Sequence, residues 1–419
     1  MTTPTRLPVE EAVTRILASV APLGAHEVRL AEAQGQVLAE PLYAAHTHPA
    51  WRNSAMDGYA VVGADVADAT AETPVTLPVA GTIAAGDQAP ASIERGTAWR
   101  IMTGAPVPDA ADSVIRIEDT DRGDVTVRID GTRDVGRNVR PRGEDFRTGD
   151  ELIAAGTLLR APHIGLGAGC GRATLAVHRR PRVAIVGSGN ELVDLDAFDE
   201  VLAGHRIINT NGYALAAAVR EAGGIPIELG IAADDPAAIA ERITSAPPFD
   251  ALITCGGISV GAFDYTRDVV QRLGARLDFW RVRMRPGGPF GFGMLHGVPW
   301  FGLPGNPVSA LVTFELFVRP ALLRMRGHAE CVRRPVAVQL PQAVTTQGGL
   351  THFLRCTVHS DDGGAALLTG PQSSGMLTSM AAANALLIVP HDRMTLDAGA
   401  TARAILLLDD SSMAVSCTY

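Results

Sequence analysis

The stretch Arg182-Val183-Ala184-Ile185-Val186-Gly187-Ser188-Gly189-Asn190-Glu191 runs an unbroken apolar segment, 183–186, into a glycine-rich turn. A short strand that is apolar at every position has neighbours on both faces, the pattern of a parallel sheet covered by helices. The rhythm repeats downstream. It predicts a helix from near Asn211, with Leu215 and Val219 inward, closed by Gly223-Gly224. It predicts a strand over 225–231, a helix capped by Asp235-Pro236 and running through Ile243, and a strand over 251–254. That strand ends in Gly256-Gly257-Ile258-Ser259-Val260-Gly261. A helix over 265–273, strands over 277–284 and 290–295, and a long helix from Asn306-Pro307 to about Arg326 complete the series. Strand, glycine loop and helix in alternation predict a mostly parallel α/β domain over 181–328, with ligands outside the carboxyl ends of its strands.

On both sides of this segment the periodicity changes. A helix is expected from Pro8 to Val20, with Val9, Val13, Ile16 and Leu17 at helical spacing. Beyond Val28 come short β-rich runs at 75–79, 98–102, 113–117 and 125–129, separated by Gly81, Gly86, Gly123 and Gly131. Residues 1–180 therefore read as a helix plus β-rich, interleaved subdomains. From about Cys331 the runs 336–340, 352–358, 366–368, 386–389 and 404–408 predict a small all-β domain over 329–419. The expected architecture is multi-domain, α/β plus β.

The chain of 419 residues is 47% hydrophobic and 19% charged, apolar enough for several cores and too apolar for disorder. Its net charge of −9 disfavours nucleic acid or an anionic membrane as a bulk partner. All 36 basic residues are arginine. Chemistry through a lysine amine is thereby excluded: no Schiff base, no P-loop lysine, no Ser-Lys dyad. The cysteines Cys170, Cys255, Cys331, Cys356 and Cys417 are scattered, which predicts reduced thiols rather than a disulfide or zinc framework. Residues 1–7 lack a signal-peptide pattern, and no apolar run reaches the roughly 18 residues of a membrane span. A soluble cytoplasmic protein is expected.

Three loops follow expected strands: Gly187-Ser188-Gly189, 256–261, and Leu303-Pro304-Gly305-Asn306-Pro307-Val308-Ser309. Small residues let backbone N–H groups approach an anion, and a following helix start adds a favourable dipole. These loops are expected to converge on one pocket. Arg281, Arg283 and Arg285 alternate on one expected strand and so share a face, and Arg285 enters Pro286-Gly287-Gly288-Pro289. Arg355 stands alone in an apolar run, where a buried guanidinium normally has a fixed anionic partner. Asp57, Glu144, Asp145, Glu191, Asp235 and Asp264 lie in or beside loops. Each by itself reads as a cap or turn residue, Asp235 most clearly; gathered around a phosphate they suit Mg²⁺. His46 and His48 have no third ligand nearby.

Taken jointly, Asn53-Ser54-Ala55-Met56-Asp57-Gly58-Tyr59-Ala60, Arg100-Ile101-Met102-Thr103-Gly104-Ala105-Pro106, Arg142-Gly143-Glu144-Asp145, the 256–261 loop with Asp264-Tyr265, Gly302 to Ser309, Gln372-Ser373-Ser374-Gly375 and Ala383-Asn384 carry a resemblance. The chain resembles the molybdopterin molybdenumtransferase (MoeA-type) family, and with it the C-terminal region of gephyrin, over nearly its whole length. The resemblance implies an enzyme that takes adenylylated molybdopterin and molybdate. It cleaves the pyrophosphate in a Mg²⁺-dependent step, releases AMP and inserts molybdenum into the dithiolene. It implies an elongated homodimer whose site lies between the α/β domain of one subunit and the N-terminal region of the other. A molybdopterin adenylyltransferase acts upstream and molybdoenzymes accept the product.

Position by position, the resemblance implies functional acids at Asp57, Asp145, Glu191, Asp235 and Asp264, with Asp57, Glu191 and Asp264 toward the metal, and a functional hydroxyl at Thr103. It implies molybdate positions at Arg285, Ser309, Arg355 and Ser374, and site-shaping prolines at Pro304 and Pro307. Asn53, Ser54, Gly256, Gly257, Ser259, Gly305 and Asn306 fall within its motifs as substrate-binding candidates. The chain departs from the family pattern at Gly288, where a lysine is usual, and at Asn190 and Asn209, where acids are usual. One cation lost beside a dianion costs roughly 1–3 kcal/mol, for which Arg281 or Arg283 is the replacement. Two rival classes are a non-catalytic scaffold relative, favoured by those departures, and a molybdopterin adenylyltransferase, opposed by the long flanking β regions.

Overall fold

Arg182–Ser188 is an interior strand of a six-stranded sheet in a computed structural model that describes residues 6–88, 92–257, 265–359 and 364–407. Ser259, Asp264 and Cys417 lie outside the described residues, as do 258 and 260–261 of the second glycine loop and Leu408 of the last expected run. Val183 and Ile185 enter one core with Leu215 and Val219 of the Thr210–Glu221 helix and Val308 and Phe317 of the helix that starts at Pro307. Ala184 and Val186 enter another with Ile239 and Ile243 of the Pro236–Thr244 helix and Val269 and Val270 of the Tyr265–Arg272 helix. Burial on both faces is what the uninterrupted apolar run requires.

The strand order is Ile225–Ala232, Arg182–Ser188, Ala251–Cys255, Val298–Leu303, Gly291–Leu295, Ala275–Trp280. The first four run parallel; Gly291–Leu295 runs against them, and Ala275–Trp280, antiparallel to it, runs in their direction. Ser188, Cys255 and Leu303 thus end three neighbouring parallel strands at the same end of the sheet, and their loops share one mouth.

Two elements differ from expectation. The strand expected over 277–284 stops at Trp280. Arg281 takes a φ of +88°, Val282 bridges to Leu7, and Met284–Arg285 crosses to pair with Thr351–Val358 in another sheet. Arg281, Arg283 and Arg285 are therefore not on one strand; a left-handed residue at 281 breaks the pleat that would have aligned them. The long helix is three segments, Pro307–Thr313, a π-helical Phe314–Val318 and Arg319–Met325.

The Val9–Ser19 helix buries Val9, Ala12 and Ile16 against the same core as the long helix. The β-rich region that follows holds a five-stranded sheet, ordered Ser113–Arg116, Gly58–Val61, Ala98–Ile101, Val75–Ile83, Thr126–Ile129. Ala25–Arg29 pairs with Thr174–His178, so the ends of this region meet around its middle. His46 and His48 pack their rings on Phe146. Near the C-terminus, Val336–Gln339, Thr351–Val358, Ala366–Leu368, Ala385–Val389 and Thr401–Leu406 form one sheet with Met284–Arg285. No helix of the described residues is long and apolar enough to cross a membrane.

Candidate functional site

The three strand ends open on a cleft of about 530 Å³. Its floor is glycine for a steric reason. Gly257 has φ +60°, and a Cβ there would lie 2.5 Å from Thr266 Oγ1; at Gly256, φ +96°, it would lie 2.5 Å from the Ser188 carbonyl oxygen. No side chain fits where these strand ends cross. Two helices start at the rim, at Thr210 and Pro307, and present positive dipole ends to the cleft. Asn209 caps the first of them, accepting from Gly212 N at 3.1 Å. Asn211 Nδ2 donates to Gly305 O at 2.7 Å and to Cys255 Sγ at 3.2 Å, and Cys255 Sγ donates to Pro304 O at 3.3 Å. This clasp ties three loops together. Burial pushes the Cys255 thiol up to about 12, so it stays a neutral donor.

Among the described residues, two carboxylates line this cleft, Glu191 and Asp234. Asp234 and Asn190 exchange hydrogen bonds, each backbone N–H donating to the other's side-chain oxygen at 3.1 Å. Asn190 is thus a neutral acceptor beside Asp234, where a second carboxylate would repel it. Ser188 Oγ is buried at the cleft wall and has no hydrogen-bond partner among the described residues.

A second cleft, of about 710 Å³, adjoins the first and shares Pro289, Asn306 and Ser309 with it. Its lining is of opposite character. Among the described residues, Arg6, Arg281 and Arg285 line it and no carboxylate does. Arg285 Nη1 donates to Gln347 Oε1 at 2.7 Å. Arg283 is not in the lining; its Nη2 lies 3.3 Å from His391 Nε2. The far wall is Gln372, Ser373 and Ser374, docked on the helix start where Asn306 Nδ2 donates to Ser374 Oγ and Val308 N to Ser374 O, both at 3.1 Å.

Of the residues expected from sequence, Glu191, Gly256, Gly257, Pro304, Gly305, Asn306, Pro307 and Ser309 line the first cleft, and Arg285, Asn306, Ser309 and Ser374 the second. Arg355 does not face either. It is 0% exposed, and its Nη2 donates to Pro371 O at 2.9 Å and Ser373 O at 3.1 Å, with Nε to Ser379 Oγ at 3.0 Å. The expected fixed anion is replaced by loop carbonyls, and Arg355 acts by placing Ser373 and Ser374. Asp235 caps its helix, accepting from Ala238 N at 2.9 Å, while its neighbour Asp234 faces the cleft.

Asp57, Thr103 and Asp145 are exposed on the β-rich region and line neither cleft of their own chain. Asp57 Oδ1 accepts from Thr103 N at 2.6 Å and Thr103 Oγ1 at 2.7 Å, and these bonds hold its carboxyl below the usual range. Ser54 is fully buried and its hydroxyl donates to Met56 O at 2.6 Å, closing the turn that carries Asp57. Asn53 is buried beside it. Sequence reasoning missed Asp234 and Arg6; Ser188 and Gln372 were named there within their loops and line the first and second cleft.

Comparison with known proteins agrees with this layout. Residues 7–171 match the MoeA N-terminal region (domain I and II), 184–324 a probable molybdopterin binding domain, and 337–407 the MoeA C-terminal region (domain IV). Molybdopterin molybdenumtransferase 2 of Mycobacterium tuberculosis is 38% identical over 380 residues, covering 89% of this chain and 92% of that protein. The Bacillus subtilis molybdopterin molybdenumtransferase is 33% identical, covering 97% and 95%. The crystal structure of the molybdopterin biosynthesis MoeA protein of Pyrococcus horikoshii superposes with a TM-score of 0.84 at 28% identity, covering 96% of this chain and all of that one (100%). With all three regions matched in order, the chain belongs to the molybdopterin molybdenumtransferase (MoeA) family.

Proposed function

We propose that this protein inserts molybdenum into molybdopterin. It takes adenylylated molybdopterin and molybdate, breaks the pyrophosphate bond, and releases AMP and the molybdenum-loaded pterin. The observation that carries this reading is the junction of two clefts of opposite charge at Pro289, Asn306 and Ser309. A phosphorylated pterin suits the glycine floor and the helix starts of the first cleft. A dianionic oxyanion suits the second, where guanidinium groups stand without carboxylates. Bringing both substrates to one junction supplies the proximity that transfer between them needs.

Mg²⁺ is bound typically through one or two carboxylates plus substrate phosphates. Glu191 and Asp234 are carboxylates of that kind, and the described residues hold no group of three or more His, Cys, Asp or Glu that would cage an ion alone. Bound there, the ion would neutralise charge on the pyrophosphate. The chain's own groups do the rest: the clasp of Asn211, Cys255 and Pro304 fixes the loops, and Ser309 and Asn306 face both substrates. We propose a cytoplasmic homodimer in which Asp57, Thr103 and Asp145 of one protomer reach the clefts of its partner. Their exposure, and their absence from the clefts of their own chain, support that arrangement.

Incubating the purified protein with adenylylated molybdopterin, Mg²⁺ and molybdate tests the reading. AMP should appear together with a product that activates a molybdenum-free apoenzyme. Ligand binding without AMP release would favour the scaffold alternative and refute the proposal.

A further inference from the structure

The β-rich region over 25–178 shares no apolar core with the α/β domain among the described residues. The clusters that hold Val183 and Ala184 take nothing from 25–178, and those that hold Tyr59, Ala60, Leu38 and Phe146 take nothing from the domain. The chain crosses between the two bodies twice, before Ala25 and after His178. Bodies joined by two crossings and little apolar surface turn against each other unless a specific contact pins them.

A buried guanidinium stands at this joint. Arg326 follows the Arg319–Met325 segment, is 7% exposed and lines neither cleft. Its Nη2 donates to Gly35 O of the β-rich region at 2.6 Å. Its Nη1 donates to two acceptors of the other body, Ala222 O at 3.3 Å and His328 Nε2 at 3.2 Å. The backbone is shaped around these side chains. Gly223 has φ +76°, and a Cβ there would overlap the Arg326 guanidinium; Gly327 has φ +83°, and a Cβ there would overlap the ring of His178. Only glycine fits both positions. The His178 ring is itself tied across the joint, Nδ1 donating to Leu23 O at 2.8 Å. Burial and the like charge of Arg180 pull Arg326 down to about 10, and it has no ion-pair partner among the described residues. A buried cation without an acid is costly. This one meets no cleft, and its bonds run from one body to the other.

We infer that Arg326 is the pin that fixes the β-rich region on the α/β domain, and so a positioning residue for Asp57, Thr103 and Asp145, which that region carries. The planar fork suits the task, because one guanidinium can donate in two directions at once. The inference rests on the reading above, in which those three residues act at the clefts of the partner protomer. It goes beyond that reading in naming what holds them at a fixed angle.

Two measurements on the full chain test it. The first is the distance between spin labels at Glu40→Cys and Glu241→Cys, both exposed and one on each body, in a Cys417→Ser background diluted with unlabelled protein. The second is AMP release from adenylylated molybdopterin with Mg²⁺ and molybdate. The variants are Arg326→Met, Arg326→Lys and Gly223→Ala, the last of which displaces the guanidinium without replacing it, so the test survives if Arg326→Met fails to fold. Arg334→Gln is the control, since its ion pair with Glu330 lies at the surface of the linker. The wild type and the control should give one narrow distance. Arg326→Met and Gly223→Ala should broaden it, and Arg326→Lys should restore part of the narrowing. The first cleft is lined wholly by residues 188–309, so KM for the pterin should stay within about twofold while kcat falls roughly tenfold or more. A merely structural role predicts the opposite split: a narrow distance, a lower urea midpoint, and pterin binding and turnover lost together. That result, or an unchanged distance in both Arg326→Met and Gly223→Ala, overturns the inference. Broadened distances with wild-type kcat overturn the positioning role. A wild-type chain that releases no AMP overturns the functional reading, while the distances still decide the pin.

Discussion

Replacing Arg355 with methionine separates a residue that touches the anion from one that builds the wall around it. The guanidinium is 0% exposed and donates to Pro371 O (2.9 Å), Ser373 O (3.1 Å), Ser379 Oγ (3.0 Å) and, at 3.4 Å, Gln372 O. Methionine fills much of the aliphatic volume and leaves those acceptors unpaired. Three sound bonds at about 1–1.5 kcal/mol each amount to about 3–4.5 kcal/mol. Burial already disfavours the cation, holding its pKa below the usual arginine value, so deleting the charge returns part of that loss. A net destabilisation of about 2–3 kcal/mol is expected. The same loop docks Ser374 on Asn306 and Val308, so its loosening should weaken molybdate binding as well. Urea unfolding and molybdate titration of the wild type, Arg355→Met and Arg355→Lys read the two quantities together. A positioning role predicts that stability and affinity fall in parallel and that lysine restores a fraction of both. Stability within about 0.5 kcal/mol of wild type, with affinity lost, would refute the reasoning and make Arg355 a direct ligand.

Introducing the family's usual lysine, Gly288→Lys, should lower the thermal midpoint and leave molybdate affinity no better than wild type, because its Cβ meets Met284 O at 2.9 Å. Gly257→Ala places a Cβ 2.5 Å from Thr266 Oγ1 at φ +60°, and should lose about 1–2 kcal/mol of stability and most pterin binding, read by urea unfolding and fluorescence titration. Burial, with the neighbouring Arg326, lowers His328 from 6.5 to about 4. The unfolded chain then takes up a proton that the folded one refuses, so stability should fall as pH drops from 6.5 toward 4. His328→Gln should flatten that slope in urea titrations across the window. Cys255 and Cys356, both pushed up to about 12 by burial, should resist iodoacetamide at pH 8 until the chain is unfolded, as peptide mapping by mass spectrometry will show.

The central layer was legible because burial on both faces leaves little room for polar residues, so 183–186 and 251–254 stand out as apolar runs. The glycine loops were legible because the crossing strand ends admit no side chain. Arg281 was misread because nothing in an Arg-Val-Arg-Met-Arg pattern announces a left-handed backbone; the contacts that hold it come from Leu7 and Phe290, far apart in sequence. Arg6 escaped for the same reason. Asp235 satisfies the chemistry of a helix cap completely, and its neighbour Asp234 gives no local sign that it faces a cleft. Arg355 was read as buried, and it is, yet its partners are backbone oxygens of a loop, which no side-chain pattern reveals.

The second cleft is built from pieces that lie at opposite ends of the polypeptide: Arg6, the turn at 285–289, and the 372–374 loop laid on the start of a helix. On the proposed reading, severing the chain after that helix would remove the 372–374 wall and lay the oxyanion side open to water. The two substrates would then meet only in the intact polypeptide, and a truncated product that kept the first cleft would hold one of them without consuming it.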